Sequence, residues 1–168
     1  IRMGVLDLLS SRCADTVQFL EGQEQLSDDL QVLQRVALVW DSDLPVNVGE
    51  SATLYRFLQF ASWKNGLNKQ FVLRGSLQNR PICHDPNIIN YSQDELHQLD
   101  NGTSQWASAA VLAGDTKEVT EPSFKQRVTY EAVSHWSQQR AKGQMWLPRY
   151  DQTIMNQPFV AENAIGFL

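Results

Sequence analysis

The sequence is poor in cysteine, with only Cys13 and Cys83, so neither a disulfide framework nor a Cys-based metal spacing is available. That scarcity points to a reducing, cytoplasmic setting. His84, His97 and His135 are scattered, with no HxH or HxxxH spacing, which argues against a metal site and supplies no case for any cofactor. No apolar run approaches the roughly 20 residues needed to cross a bilayer, and no secretory signal pattern is present, so no membrane partner is expected. Without a secretory signal, the Asn90-Tyr91-Ser92 and Asn101-Gly102-Thr103 sequons read as chance matches. No block of Lys or Arg stands out, and fourteen basic against nineteen acidic side chains give −5, which disfavours nucleic acid as a partner. There is no Gly-x-Ser-x-Gly elbow, no Walker A loop and no Rossmann glycine pattern.

What is present suits one domain with a real core. Apolar residues make up 42% and charged residues 20% of the 168, an ordinary globular balance. The chain opens on Ile1 and closes on the apolar run Ala164-Ile165-Gly166-Phe167-Leu168; both ends read as cuts. Residues 1–168 are therefore expected to be a fragment, or a single lobe whose partner lobe is missing.

Periodicity predicts alternating short elements. Val5, Leu6, Leu8 and Leu9 suggest an opening helix, and Asp15 or Thr16 is a candidate cap for a second. Ser27-Asp28-Asp29 starts a third segment. Val36-Ala37-Leu38-Val39-Trp40 favours a strand, broken by Asp41 to Pro45. Leu54, Phe57, Leu58, Phe60 and Ala61 mark a helix over 51–63, ended by Asn65-Gly66. Gln70 to Leu73 reads as a strand closed by Gly75, and 83–91 as irregular. Ser92 with Glu95 predicts a capped helix over 93–99. Residues 104–113 and a longer stretch after Pro122, ended by Gly143, read as helices, and Met145-Trp146-Leu147 as a strand. Such alternation favours an α/β fold.

Three segments carry chemistry. Gly49-Glu50-Ser51-Ala52-Thr53 leads into a helix bearing Arg56, combining free N–H groups, short hydroxyls and a guanidinium, the elements of an anion site. Taken alone, Arg56 reads first as a surface arginine, and it is the turn ahead of it that favours the anion site. Arg80 precedes Pro81, which biases it toward an extended conformation; a plain turn arginine is the competing reading. Thr103-Ser104-Gln105 opens a helix after Gly102, where the simplest role for the hydroxyls is capping.

In this order, the three segments resemble the enolpyruvyl transferase family, most closely its shikimate 3-phosphate branch. Gly49 to Leu58 is similar to that family's Gly-Asn-Ala/Ser-Gly-Thr-x-x-Arg-Phe/Pro-Leu segment. Leu73-Arg74-Gly75 through Arg80-Pro81-Ile82 resembles its strand, glycine and Arg-Pro loop, and Thr103-Ser104-Gln105 its Ser-Ser-Gln. Ile1-Arg2 with the following helix matches more faintly. The resemblance covers about residues 1–140 and implies one lobe of an inside-out α/β barrel built of βαβαββ-type units. It implies transfer of the enolpyruvyl group of phosphoenolpyruvate to shikimate 3-phosphate, by addition and then elimination. By position, Arg56, Arg80, Ala52 and Thr53 would hold phosphoenolpyruvate. Thr103, Ser104, Gln105 and Arg2 would hold shikimate 3-phosphate. The family's Ser-Lys-Ser lysine and the acid–base groups of the second lobe do not occur in this sequence, so no catalytic residue is assigned and the chain alone is expected not to turn over.

The departures are specific. Ala52 stands where many members have Gly, Glu50 replaces Asn beside an anion site, and the loop from Gly75 to Arg80 is short. Phe124, Arg127 and Thr129 fall near positions usually held by Ser, Tyr and Asp. The branch acting on UDP-N-acetylglucosamine usually has a cysteine in the loop before Arg-Pro; here Gly75 to Asn79 has none, which counts against it. Glu50 and the short loop favour a further alternative, a non-catalytic binding or assembly module on the same fold.

Overall fold

In the computed structural model, which describes residues 1–115 and 122–143, one strand–helix–strand unit is set among further helices. The order is α1 (Arg2–Leu9), α2 (Cys13–Glu21), α3 (Asp28–Val39), β1 (Val46–Gly49), α4 (Ala52–Lys64), β2 (Phe71–Leu73), α5 (Gln93–Gly102), α6 (Gln105–Leu112) and α7 (Phe124–Ala141). Two short 3-10 segments, Gly75–Asn79 and Pro86–Asn90, lie between β2 and α5. The described residues thus form a mostly helical α/β structure: seven helices with a small two-stranded parallel sheet. No described helix is long and apolar enough to cross a membrane.

Serine sets several of the helix starts. The Oγ atoms of Ser27, Ser51 and Ser92 accept from the N–H of Leu30, Leu54 and Glu95 at 3.4, 3.2 and 3.2 Å. Ser123 and Gln126 close a reciprocal capping box on α7. Each such cap is worth about 1 kcal/mol and fixes where its helix begins.

Packing overrides local preference in two places. Val36 to Trp40, β-favouring in isolation, is the last turn of α3 and its C-cap; Leu30, Leu33, Val36 and Ala37 recur at helical spacing and all are buried. Neither Asp15 nor Thr16 caps α2, whose N-cap is Arg12. Thr16 is buried instead and donates to Asp7 Oδ2 at 3.0 Å. The strand expected at 70–73 is β2. Its partner β1 was not anticipated: it pairs in parallel, with Val46 opposite Phe71 and Gly49 opposite Leu73. The alternation of many short units is absent from the described residues, which hold a single strand–helix–strand unit. Met145-Trp146-Leu147 lies outside the described residues.

The core is built on α4 and α6. Leu54, Tyr55, Phe57, Leu58 and Phe60 of α4 are each at most 2% exposed, so this helix is wrapped on nearly all sides. Its main neighbour is α6, whose Ala107, Ala109 and Ala110 are buried. Trp106 fills the seam and stacks on Trp63, centroids 6.0 Å apart. Truncating Phe57 or Trp106 in such a setting costs about 3–5 kcal/mol. This places the first turn of α4 and the first turn of α6 as rigid neighbours.

Candidate functional site

β1 and β2 are parallel, so the chain leaving β1 enters α4 at the carboxyl edge of the sheet, where ligands commonly sit in α/β structures. Gly49, at φ +56°, makes the turn. Ser51 caps α4 and satisfies Leu54 N–H, while the first helical N–H groups, those of Ala52 and Thr53, have no carbonyl within the helix to bond. Those N–H groups and the helix dipole favour negative charge.

One turn into α4, Arg56 is only 4% exposed. Its Nε donates to Asp100 Oδ2 at 3.0 Å, and its Nη1 donates to Gln105 Oε1. Nη2 makes no hydrogen bond among the described residues, and Arg56 lines a cleft. The guanidinium is therefore held from behind, with one end left for a ligand.

Asp100 is the residue that sequence reasoning missed. Within α5 the regular helix stops at Leu99, and Asp100 and Asn101 take left-handed conformations at φ +53° and +66°. Non-glycine residues adopt this geometry rarely, and it costs energy that surrounding contacts must supply. Asp100 supplies three. Besides Arg56, it accepts from the Trp106 indole N–H and, through Oδ1, from Cys83 N–H at 3.0 Å. One carboxylate thus ties α4, α6 and the segment after Arg80-Pro81 together. The only local signal was the Asn101-Gly102 turn, which does not reveal partners lying far along the chain.

The Gln105 amide has a forced orientation. Arg56 can only donate, so Gln105 presents Oε1 to it and Nε2 to Thr53 Oγ1, at 2.8 Å. Thr53 then accepts from Gln105 and keeps its own O–H to donate outward. Beside it, Thr103 Oγ1 is buried and makes no hydrogen bond among the described residues. Buried hydroxyls are normally paired, so this one marks a place where a partner belongs.

Arg80 precedes Pro81 with extended backbone, φ −76° and ψ 136°. It is exposed, lines the same cleft and forms no ion pair among the described residues. Glu50 lies close enough to feel its charge. The Glu50 carboxyl is held below its usual range, first by the hydrogen bond from Ser76 N–H and more weakly by Arg80.

The cleft has a volume of about 520 Å³. It gathers Ala52, Thr53 and Arg56 from the first segment, Arg80 from the second, and Thr103 and Gln105 from the third. Two residues assigned with them lie elsewhere. Ser104 is buried behind the cleft, hydrogen-bonded to His97 Nδ1 at 2.9 Å and to Ser123 Oγ at 2.6 Å, so its hydroxyl does not cap α6 either. Arg2 is not in the cleft wall: its Nε donates to Thr129 Oγ1 at 2.6 Å and its guanidinium lies over the Phe57 ring. Burial pulls Arg2 down to about 10, which still leaves it charged at neutral pH. The wall also includes Asp29, so three carboxylates face two guanidiniums, with Arg56 matched to Asp100 and Arg80 near Glu50. No cluster of three or more potential metal-ligating side chains occurs among the described residues. No family model matches the chain, and neither a curated protein nor a solved structure matches it.

Proposed function

We propose that this chain is the substrate-binding lobe of a 3-phosphoshikimate 1-carboxyvinyltransferase-like enzyme, which transfers the enolpyruvyl group of phosphoenolpyruvate to shikimate 3-phosphate. On this reading the lobe belongs to an inside-out α/β barrel of βαβαββ-type units, and a second lobe brings the acid–base groups. The observation that supports it is the convergence of three segments, distant in sequence, on one cleft. Its donors match anionic ligands: the N-terminal N–H groups of α4, Thr53 O–H, Thr103 O–H, Arg56 Nη2 and Arg80. Arg80 would take a carboxylate or phosphate by a paired, charge-assisted contact, and Arg56 would hold Gln105 and Thr53 in donor orientation. Arg2 and Ser104 stay in the proposal only as groups that set the backbone behind the cleft.

The acidic share of the wall favours a second reading, a non-catalytic binding or assembly module. A multiply anionic substrate meets no net positive charge from this lobe, so tight binding requires cations from elsewhere in the protein. Titration with shikimate 3-phosphate under tryptophan fluorescence separates the two, since Trp106 touches Asp100 and adjoins Gln105. Saturable change with shikimate 3-phosphate, absent with shikimate and weak with inorganic phosphate, is the result expected. No response from the full-length protein favours the module.

A further inference from the structure

We propose that Glu50 and Asp100 are positioning residues that clasp the Arg80 segment at its two ends and hold Arg80 at the cleft. The inference rests on the reading of the cleft as an anion site. Between β2 and Pro86 the chain is tethered past Arg80 by His84, whose Nδ1 is hydrogen-bonded to Tyr55 O–H at 2.5 Å, but the stretch around Arg80 itself has little to hold it. Arg74, Ser76, Gln78, Asn79, Arg80 and Pro81 are exposed, and only Leu77 and Ile82 bury their side chains. The segment is fixed by backbone bonds from Arg74 N–H to Gly49 O at 2.8 Å and from Arg80 N–H to Leu77 O at 3.3 Å. Two carboxylates complete the hold. Glu50 Oε1 accepts from Ser76 N–H at 2.8 Å on the upstream side, and Asp100 Oδ1 accepts from Cys83 N–H at 3.0 Å on the downstream side. Arg80 lies between the two.

Gly75 shows that the upstream contact is built in. It has φ +52°, and a Cβ there would overlap the Glu50 carboxylate. Glycine gives the turn without strain and leaves Glu50 its place; any larger side chain would push the Glu50 carboxylate aside and off Ser76 N–H. The clasp also accounts for a carboxylate beside a cation in a cleft of donors: its negative charge weakens the pull on an anion, while its hydrogen bond keeps the guanidinium in place.

Glu50 is exposed, so its variants are expected to fold. Glu50→Gln and Glu50→Ala remove the same charge, but only Gln keeps an oxygen for Ser76 N–H. Any difference between them isolates the hydrogen bond from the repulsion. Two readouts are compared in the full-length protein: amide hydrogen exchange at Ser76, and affinity for phosphoenolpyruvate. We expect Ser76 exchange in Glu50→Ala to be about tenfold faster than in Glu50→Gln, and phosphoenolpyruvate binding about threefold to tenfold weaker. Equal exchange and equal affinity in the two variants overturn the clasp. If both variants bind equally and more tightly than wild type, Glu50 acts through charge alone, and the clasp is again overturned. A clear exchange difference with no phosphoenolpyruvate binding by wild type instead overturns the anion reading, while leaving the Glu50 contact established.

Discussion

Two buried carboxylates do the same job in different parts of this molecule, and their differences separate scaffold from site. Asp7 accepts from the Trp136 indole at 2.8 Å, from Thr16 O–H at 3.0 Å and from Arg140. Asp100 likewise accepts from one tryptophan, one arginine and one further donor, the Cys83 N–H. Asp7 sits in the regular α1 helix and joins it to α2 and α7, and Arg140 turns its other end to Asp15 at 2.8 Å. Asp100 sits in a left-handed backbone at the cleft, and Arg56 turns its other end to Gln105 and the ligand side. The first network joins helices to one another away from the cleft, with Arg140 Nε buried and without a hydrogen bond among the described residues. The second holds strain and passes its order to groups that face open space.

The largest effect expected is on the Asp7 network. Asp7→Ala leaves the Trp136 indole N–H and the Thr16 hydroxyl without their acceptor and Arg140 with Asp15 alone, and it should lower stability by about 3–4 kcal/mol in chemical denaturation. Where the variant still folds, phosphoenolpyruvate affinity should be unchanged, since none of these groups reaches the cleft.

Asparagine sharpens the contrast. At position 7 its oxygen can serve Trp136 and Arg140 while its amide N–H₂ faces the Thr16 hydroxyl, which can accept. At position 100 every partner is a donor, so an N–H₂ must oppose either Cys83 N–H or the Arg56 and Trp106 pair. Asp100→Asn should therefore cost about 1–3 kcal/mol, more than Asp7→Asn, and should weaken phosphoenolpyruvate binding as well. Equal costs would remove the distinction between the two networks.

Thr103 offers a test of opposite sign. Thr103→Val removes a buried hydroxyl that has no partner among the described residues. The ligand-free protein should gain about 1 kcal/mol in stability, while ligand affinity falls. A loss of stability would mean the hydroxyl is satisfied within the protein.

The smallest effect is the pH response of Glu50. Its folded pKa is depressed, chiefly by the Ser76 backbone bond. A depressed carboxyl stabilises the fold fully above its unfolded pKa and loses that contribution as pH falls through the lower, folded value. Protection of Ser76, measured against Glu50→Gln as the reference, should thus hold at neutral pH and fade only below the ordinary glutamate range.

How much of this was legible in the sequence follows from the range of the interactions. Ser27 and Ser92 announced their helices because a cap and its target lie three residues apart. Thr53, Arg56, Arg80 and Gln105 stood out as residue types suited to an anion, and the fold brings them to one cleft. Val36 to Trp40 misled because β-branched residues favour strands locally, while the buried stripe from Leu30 to Ala37 decides for helix. β1 is four residues long and gives little periodicity to read. Asp100 was illegible because its meaning comes from Arg56 and Cys83, which lie far from it along the chain. Arg2 was assigned by its place in a pattern, yet its neighbours are Thr129 and Phe57.

The central claim is that three sequence segments form one anion-binding cleft with Arg80 as its exposed cation. The most direct measurement is calorimetric titration of phosphoenolpyruvate into wild-type and Arg80→Ala full-length protein, without shikimate 3-phosphate, so that binding is read and not turnover. The account predicts saturable binding by wild type, weakened at least about tenfold in the variant with stability within about 0.5 kcal/mol of wild type. Equal affinity in the two proteins, or no binding by wild type, would contradict it.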